Sequence, residues 1–95
     1  MVRGTAVPRV DRARDPQLRR WRQLDAEYLC TRIRRSGELT LTYRPSSVSR
    51  RELAALVDVE QQCWRSLNWL VIDTDELMLV VRGRPSDLDA FCSSH

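Results

Sequence analysis

The first third of the chain repeats apolar residues every three or four positions, which predicts a long helix. Asp15 is a good N-cap, and Pro16 suits the first helical position because its missing N–H would have no partner there. The helix is expected to continue to the arginines before Gly37, which can supply a left-handed cap. Its apolar side consists of Leu18, Trp21, Leu24, Tyr28, Leu29 and Ile33.

The second predicted helix has the clearest start signal in the sequence. Ser49 and Glu52 have the spacing of a capping box, and the apolar periodicity continues to about Leu67. A short third helix is expected to begin after the cap residue Ser86 and to end near Cys92. The apolar stripe of the second helix consists of Leu53, Leu56, Val57, Cys63, Trp64 and Leu67.

Three shorter segments have the two-residue period of strands. Residues 38–44 alternate between apolar side chains on one side and threonine or arginine on the other. Residues 69–73 and 77–82 carry apolar side chains on both sides, and a polar turn between them predicts a hairpin. The sequence therefore predicts three strands, of which the last two are adjacent.

These elements predict an α+β domain with the order α-β-α-β-β-α. We expect a three-stranded antiparallel sheet with strand order 1-3-2, a ferredoxin-like split unit without its last strand. Because the second and third strands are apolar on both sides, both faces of the sheet need cover. The first helix or a second subunit must supply that cover. We therefore predict a homodimer built on a sheet surface or edge that one subunit leaves exposed.

A chain of 95 residues has room for one domain. Residues 1–14 lack periodicity, which predicts a flexible, arginine-rich tail before a single domain at residues 15–95. No apolar run approaches the ~18 residues of a membrane span, and the first 16 residues lack the apolar stretch of a signal peptide. We therefore expect a cytoplasmic protein without membrane association.

The charge is unevenly distributed along the chain. All 16 basic residues are arginine, and the net charge is +3. Residues 1–35 hold ten arginines against four acids, or +6, whereas residues 36–95 hold six arginines against nine acids, or −3. This asymmetry fits either a polyanion-binding arm or a solvated tail followed by a charged helix face. Nucleic acid is not an expected partner, because interleaved aromatic residues and helix-turn-helix or zinc-finger patterns are lacking.

The cysteines Cys30, Cys63 and Cys92 are odd in number and contain no Cys-x-x-Cys pair. Reduced thiols are therefore expected rather than a disulfide framework. A three-thiolate metal site would require all three to meet in space, and the single histidine, His95, is the terminal residue. We predict no metal and no cofactor, and Cys63 remains a weak metal-ligand candidate.

Glu60 is the anomaly in the pattern, because helical spacing places it in the middle of an apolar stripe. A carboxylate there must be hydrogen-bonded, paired or protonated. It is either a structural group, in an ion pair or bonded to Trp or Tyr, or a functional acid, base or ligand. Cys63 follows three residues later, so the two side chains could converge on one ligand. Cys63 could equally be a small core residue.

Four aromatic residues on apolar faces are candidates for a ligand pocket. The alternative is that they fill the core. The four candidates are Trp21, Tyr43, Trp64 and Trp69.

Several short motifs lie between Trp21 and Phe91: WRQL at 21–24, LTLTYR at 39–44, ELAALVDVE at 52–60, Cys63, Leu67, Trp69 and LMLVVRGRP at 77–85. With them the chain resembles a family of small actinobacterial and proteobacterial proteins that occur alone or near metal-responsive regulators. The family pattern includes Glu-x-x-Cys-Cys-Pro-Phe-Leu-x-Trp/Phe between a Leu-x-Leu-x-Tyr/Phe-Arg strand and a hairpin. The resemblance implies a thiol site for a soft metal.

The chain departs from this family pattern at the thiol site itself. Trp64 stands at the second cysteine, and Arg65 and Ser66 stand in place of Pro-Phe. A vicinal cysteine pair is therefore impossible, and the chain would be a divergent member with a changed pocket.

Four functions remain open from the sequence. The favoured one is a small binding or accessory protein, homodimeric, with an apolar pocket around Glu60 and Cys63 for a small apolar ligand. It is favoured because no complete catalytic constellation is visible. The alternatives are an acid/base enzyme using Glu60 on an apolar organic substrate of a biosynthetic pathway, a soft-metal or thiol-stress protein using Cys63, and a nucleic-acid accessory protein using its arginine tail.

Overall fold

The computed structural model describes residues 16–94, with three helices and four strands. The predicted tail at residues 1–14, the cap Asp15 and the terminal His95 lie outside the described residues. Of the helices described, none has the length and apolar character needed to cross a membrane. The elements in chain order are α1 (Pro16–Tyr28), β1 (Leu29–Arg35), β2 (Glu38–Tyr43), α2 (Ser47–Cys63), β3 (Asn68–Asp73), β4 (Leu77–Arg82) and α3 (Pro85–Ser94).

The four strands form one antiparallel sheet in the order β1-β2-β4-β3. The α+β class is confirmed. The prediction of three strands in the order 1-3-2 is wrong, because β1 adds a fourth strand beside β2. The ferredoxin-like split unit is corrected for the same reason: a hairpin, rather than a single strand, precedes α2.

The additional strand comes from the part of the first predicted helix that follows Tyr28. There, β-branched Thr31 and Ile33 alternate with arginines, so the segment has a two-residue period as well as a helical one. It pairs with β2 across a two-residue turn that Arg35 and Glu38 close. Cross-strand pairing therefore overrides helix propensity. Gly37 belongs to this turn and does not adopt the left-handed conformation predicted for a helix cap.

The N-cap of helix α2 lies three residues before the predicted one. Ser46, not Ser49, is the N-cap, and its hydroxyl accepts a hydrogen bond from Ser49 N at 3.0 Å. The Ser49 hydroxyl in turn accepts from Ser46 N at 2.8 Å and donates to Arg44 O at 2.8 Å. Ser49 is therefore the third helical residue of the capping box, the role that the sequence analysis gave to Glu52. Its side chain is buried.

The helices pack on one face of the sheet and build the core there. The strand side chains on this face are Leu39, Leu41, Tyr43, Leu77, Leu79 and Val81, all at most 2% exposed. Helix side chains complete this core with Trp21, Leu24, Leu53, Leu56, Val57, Leu88 and Phe91. Because α1 packs with α2 and α3 on the same side, the expectation that the first helix could cover the second face of the sheet is wrong.

The opposite face, which we call the open face, has no helix of the described chain packed on it. Its side chains form three rows across β1, β2, β4 and β3. Ile33 and Leu70, at the two ends of one row, are 48% and 50% exposed. The rows are Ile33-Thr40-Val80-Leu70, Thr31-Thr42-Met78-Ile72 and Arg35-Glu38-Arg82-Asn68.

Candidate functional site

Glu60 lies on α2 where the helix contacts α1, and its side chain is only 1% exposed. Its Oε2 accepts hydrogen bonds from Trp21 Nε1 at 2.8 Å and from Gln17 Nε2 at 3.2 Å. Gln17 also donates to Leu56 O at 3.2 Å. The carboxyl group therefore joins two residues of α1 to α2 within the core.

This geometry suits a structural carboxylate better than a reacting one. Two N–H donors directed at one carboxylate oxygen fix its orientation. A side chain with 1% exposure meets no solvent-borne substrate unless the helices separate. Of the two sequence interpretations, the contacts favour the structural one, with a bond to tryptophan.

Cys63 does not share this environment. It is the last residue of α2, and its thiol is exposed. The prediction that it belongs to the apolar stripe is wrong: helical spacing places it near the azimuth of buried Leu56, but at the last residue of the helix its thiol is left exposed. Cys30 is exposed and Cys92 is half-buried. Within residues 16–94, no three His, Cys, Asp or Glu side chains are grouped so that they could hold a metal ion.

The candidate pocket residues form part of the core. Trp21, Trp64 and Trp69 all pack edge-on against Phe91, with ring centroids 6.5, 5.8 and 5.1 Å from it. Trp21 and Phe91 are each 1% exposed, whereas Trp64 and Trp69 are half-buried. The structure thus brings the three tryptophans together, with Phe91 filling the space between them. Sequence reasoning did not single out Phe91, because only the tertiary fold shows that α3 brings it to this position.

Tyr43, the fourth pocket candidate, is buried apart from the tryptophans and pairs with the half-buried Asp25. Its hydroxyl donates to Asp25 Oδ1 at 2.7 Å. Burial raises the pKa of Asp25, and the Tyr43 hydrogen bond and the charge of Arg32 oppose that rise. Burial, followed by the Asp25 charge, raises the pKa of Tyr43. The strand alternation indicated that Tyr43 is buried, but no sequence signal identified Asp25 as its partner.

A cleft lies between α1 and α2. Its volume is about 140 Å³, which is below the roughly 300–1,000 Å³ of typical small-molecule sites. Arg20 and Glu52 bridge it with an ion pair of 2.6 Å. It contains none of the predicted site residues. The lining residues are Arg20, Gln23, Leu24, Glu27, Tyr28, Val48 and Glu52.

Comparison of the chain with known protein families, with curated proteins and with solved structures finds no match. The resemblance to the small family with the Cys-Cys-Pro-Phe motif therefore stays a prediction.

Proposed function

We propose that this chain is a non-catalytic accessory protein that binds a second copy of itself through a sheet surface or edge that its helices leave uncovered. The observation that carries the proposal is the open face, where Ile33 and Leu70 are about half exposed in a chain of 95 residues. Removing apolar surface from water is favourable by about 25 cal/mol per Å², so covering these side chains would stabilise the protein. A second subunit is the simplest source of cover for such a surface.

The enzyme alternative has weaker support. It requires Glu60 to meet a substrate with Cys63 beside it, but Glu60 is buried against Trp21 and Gln17 while Cys63 faces solvent. A general acid or base must lie within hydrogen-bond reach of the group it serves. The soft-metal alternative also has weaker support. Within residues 16–94, exposed Cys63 is not grouped with other side chains that could bind a metal ion together with it.

The test is sedimentation equilibrium of the full chain between about 1 and 100 μM. We expect a reversible rise in mass from 11.1 kDa toward twice that value. The midpoint should change little between low and moderate salt, because apolar contacts are not screened by ions. A constant mass of 11.1 kDa across this range would refute the proposal.

A further inference from the structure

The two outer strands of the sheet differ in how well they are protected against pairing with a strand of another chain. On the outer strand β1, Arg32, Arg34 and Arg35 line the edge, and the register with β2 shifts between Leu29 and Thr31. Charged side chains and bulges are the devices with which proteins keep an edge from pairing with another chain. The edge formed by β1 is therefore protected.

The edge formed by β3 lacks these devices. Its register with β4 is regular over all six residues, and residues 69–72 read Trp-Leu-Val-Ile without a charge or a proline. About half of the backbone N–H and C=O groups of such a strand point away from its only neighbour. This strand presents a regular template for another strand.

The row Ile33-Thr40-Val80-Leu70 shows what a further strand would do for β3. Val80 lies on the open face between β2 and β3 and is only 5% exposed, although no helix of the described chain packs on that face. Leu70 is its neighbour in the same row, has a strand on one side only, and is 50% exposed. On this face, the aliphatic side chain with a strand on both sides is buried, and its neighbour with a strand on one side only is half exposed.

We propose that β3 pairs antiparallel with β3 of a second copy about a two-fold axis, so that the two sheets become one continuous eight-stranded sheet. This inference rests on the self-association proposed above and specifies its interface. Residues that lie opposite each other in a sheet point to the same face. A pairing centred on Leu70 meets this condition, because each residue then faces one of the same parity. Trp69 then lies opposite Val71 of the second copy on the helix side, and Leu70 lies opposite its own counterpart on the open face. Aromatic and β-branched cross-strand pairs are favourable.

The two competing arrangements are less favourable. Pairing of β1 with its copy, centred on Ile33, would set Arg32 opposite Arg34, and like charges directly opposed destabilise a sheet. Stacking of two open faces would gain little at their centre, where Thr40 is polar and Val80 is already buried. On the open face, the large apolar side chains that remain exposed are Ile33 and Leu70 on the two outer strands, where an added strand would cover them.

Two lysine substitutions with matched exposure distinguish the arrangements. Leu70→Lys and Ile33→Lys place the same charge on the same face, at positions 50% and 48% exposed. We expect Leu70→Lys to raise the dimer dissociation constant about tenfold or more, because it sets two lysines opposite each other at the two-fold axis. Ile33→Lys should leave the constant within about twofold. Circular dichroism melts confirm that both variants are folded.

A charge-swap experiment keeps the test independent of stability. Leu70→Lys and Leu70→Glu should each be largely monomeric, and an equimolar mixture should recover a dimer, because opposite charges then face each other. Equal weakening by Leu70→Lys and Ile33→Lys would show stacked open faces, and weakening by Ile33→Lys alone would show pairing through β1. Either result overturns the β3 interface and leaves the accessory-dimer function standing.

A monomeric wild type would refute both proposals. If the β3 amides of such a monomer also exchange slowly with solvent, then another segment of the same chain occupies the edge.

Discussion

The role assigned to Glu60 is tested by removing its charge while keeping its shape. Glu60→Gln retains an oxygen that can accept from Trp21 Nε1 and Gln17 Nε2, the two donors at 2.8 and 3.2 Å. The amide is isosteric with the carboxylate, so no cavity forms. The change therefore tests the contribution of the charge to the interactions of Glu60, among them the two hydrogen bonds from α1.

The expected cost follows from the difference between charged and neutral hydrogen bonds. Hydrogen bonds to charged groups contribute about 1.5–3 kcal/mol each, and neutral ones about 0.5–1.5 kcal/mol. The loss is about 1 kcal/mol for each of two bonds, so the free energy of unfolding should fall by roughly 2 kcal/mol. For a domain of this size, that lowers the melting temperature by about 8–16 °C.

The control is Glu52→Gln, the same chemical change on the same helix. Glu52 also bonds to α1, through an ion pair with Arg20 whose side chains are 32% and 44% exposed. Exposed pairs contribute only about 0.2–1 kcal/mol, so this variant should lie within about 1 kcal/mol of wild type. Urea denaturation is followed at one fixed protein concentration, because association also stabilises the folded state.

The result that refutes this reasoning is a Glu60→Gln variant that is as stable as wild type or more stable. Functional residues often carry strain that their replacement relieves. A stabilised variant would mean that burying the charge costs more free energy than the hydrogen bonds of the carboxylate return. It would restore the interpretation of Glu60 as a functional carboxylate.

Two smaller predictions concern the capping box and the buried tyrosine pair. Ser46→Ala should lower the free energy of unfolding by about 1 kcal/mol, because it removes the acceptor for Ser49 N. The control is Ser47→Ala at the exposed neighbouring position, which should change that free energy by less than about 0.5 kcal/mol. Urea denaturation measures both. The pKa of Asp25 is raised above its ordinary 3.8, so the folded chain holds that proton more readily than the unfolded chain, and the stability contributed by Asp25 grows as the pH falls through the folded pKa toward 3.8. The stability difference between wild type and Asp25→Asn should therefore shift in favour of wild type from about pH 7 to about pH 4, and a difference independent of pH would contradict the assigned burial.

The sequence pattern predicted the α+β class and two of the helix positions because their apolar residues follow a single period. It misassigned residues 29–35, where Leu29 and Ile33 satisfy helical spacing while Thr31 and Ile33 satisfy strand spacing. Local pattern cannot resolve that ambiguity, because the deciding interaction is the pairing with β2. The missing strand then changed the predicted strand count.

For the candidate site, the pattern identified the unusual residue but not its partners. Glu60 stood out because a charge interrupts an apolar stripe, and that reasoning correctly indicated a buried position. Spacing along α2 contains no information about Gln17 and Trp21, which reach Glu60 only because α1 packs against α2. Cys63 was placed beside it by helical periodicity, which loses its meaning where the helix ends.

The segment that misled the sequence interpretation also explains which side of the sheet is available to a partner. Arginine has a high helix propensity, so the arginines of β1 favoured a helical prediction. In the folded chain the same arginines line an outer strand, where their charges oppose pairing with another strand. The other outer strand, β3, carries Trp69, Leu70, Val71 and Ile72 in the corresponding place. One protected and one unprotected edge allow a closed two-fold pair and disfavour an open chain of sheets, because further growth would have to proceed through β1.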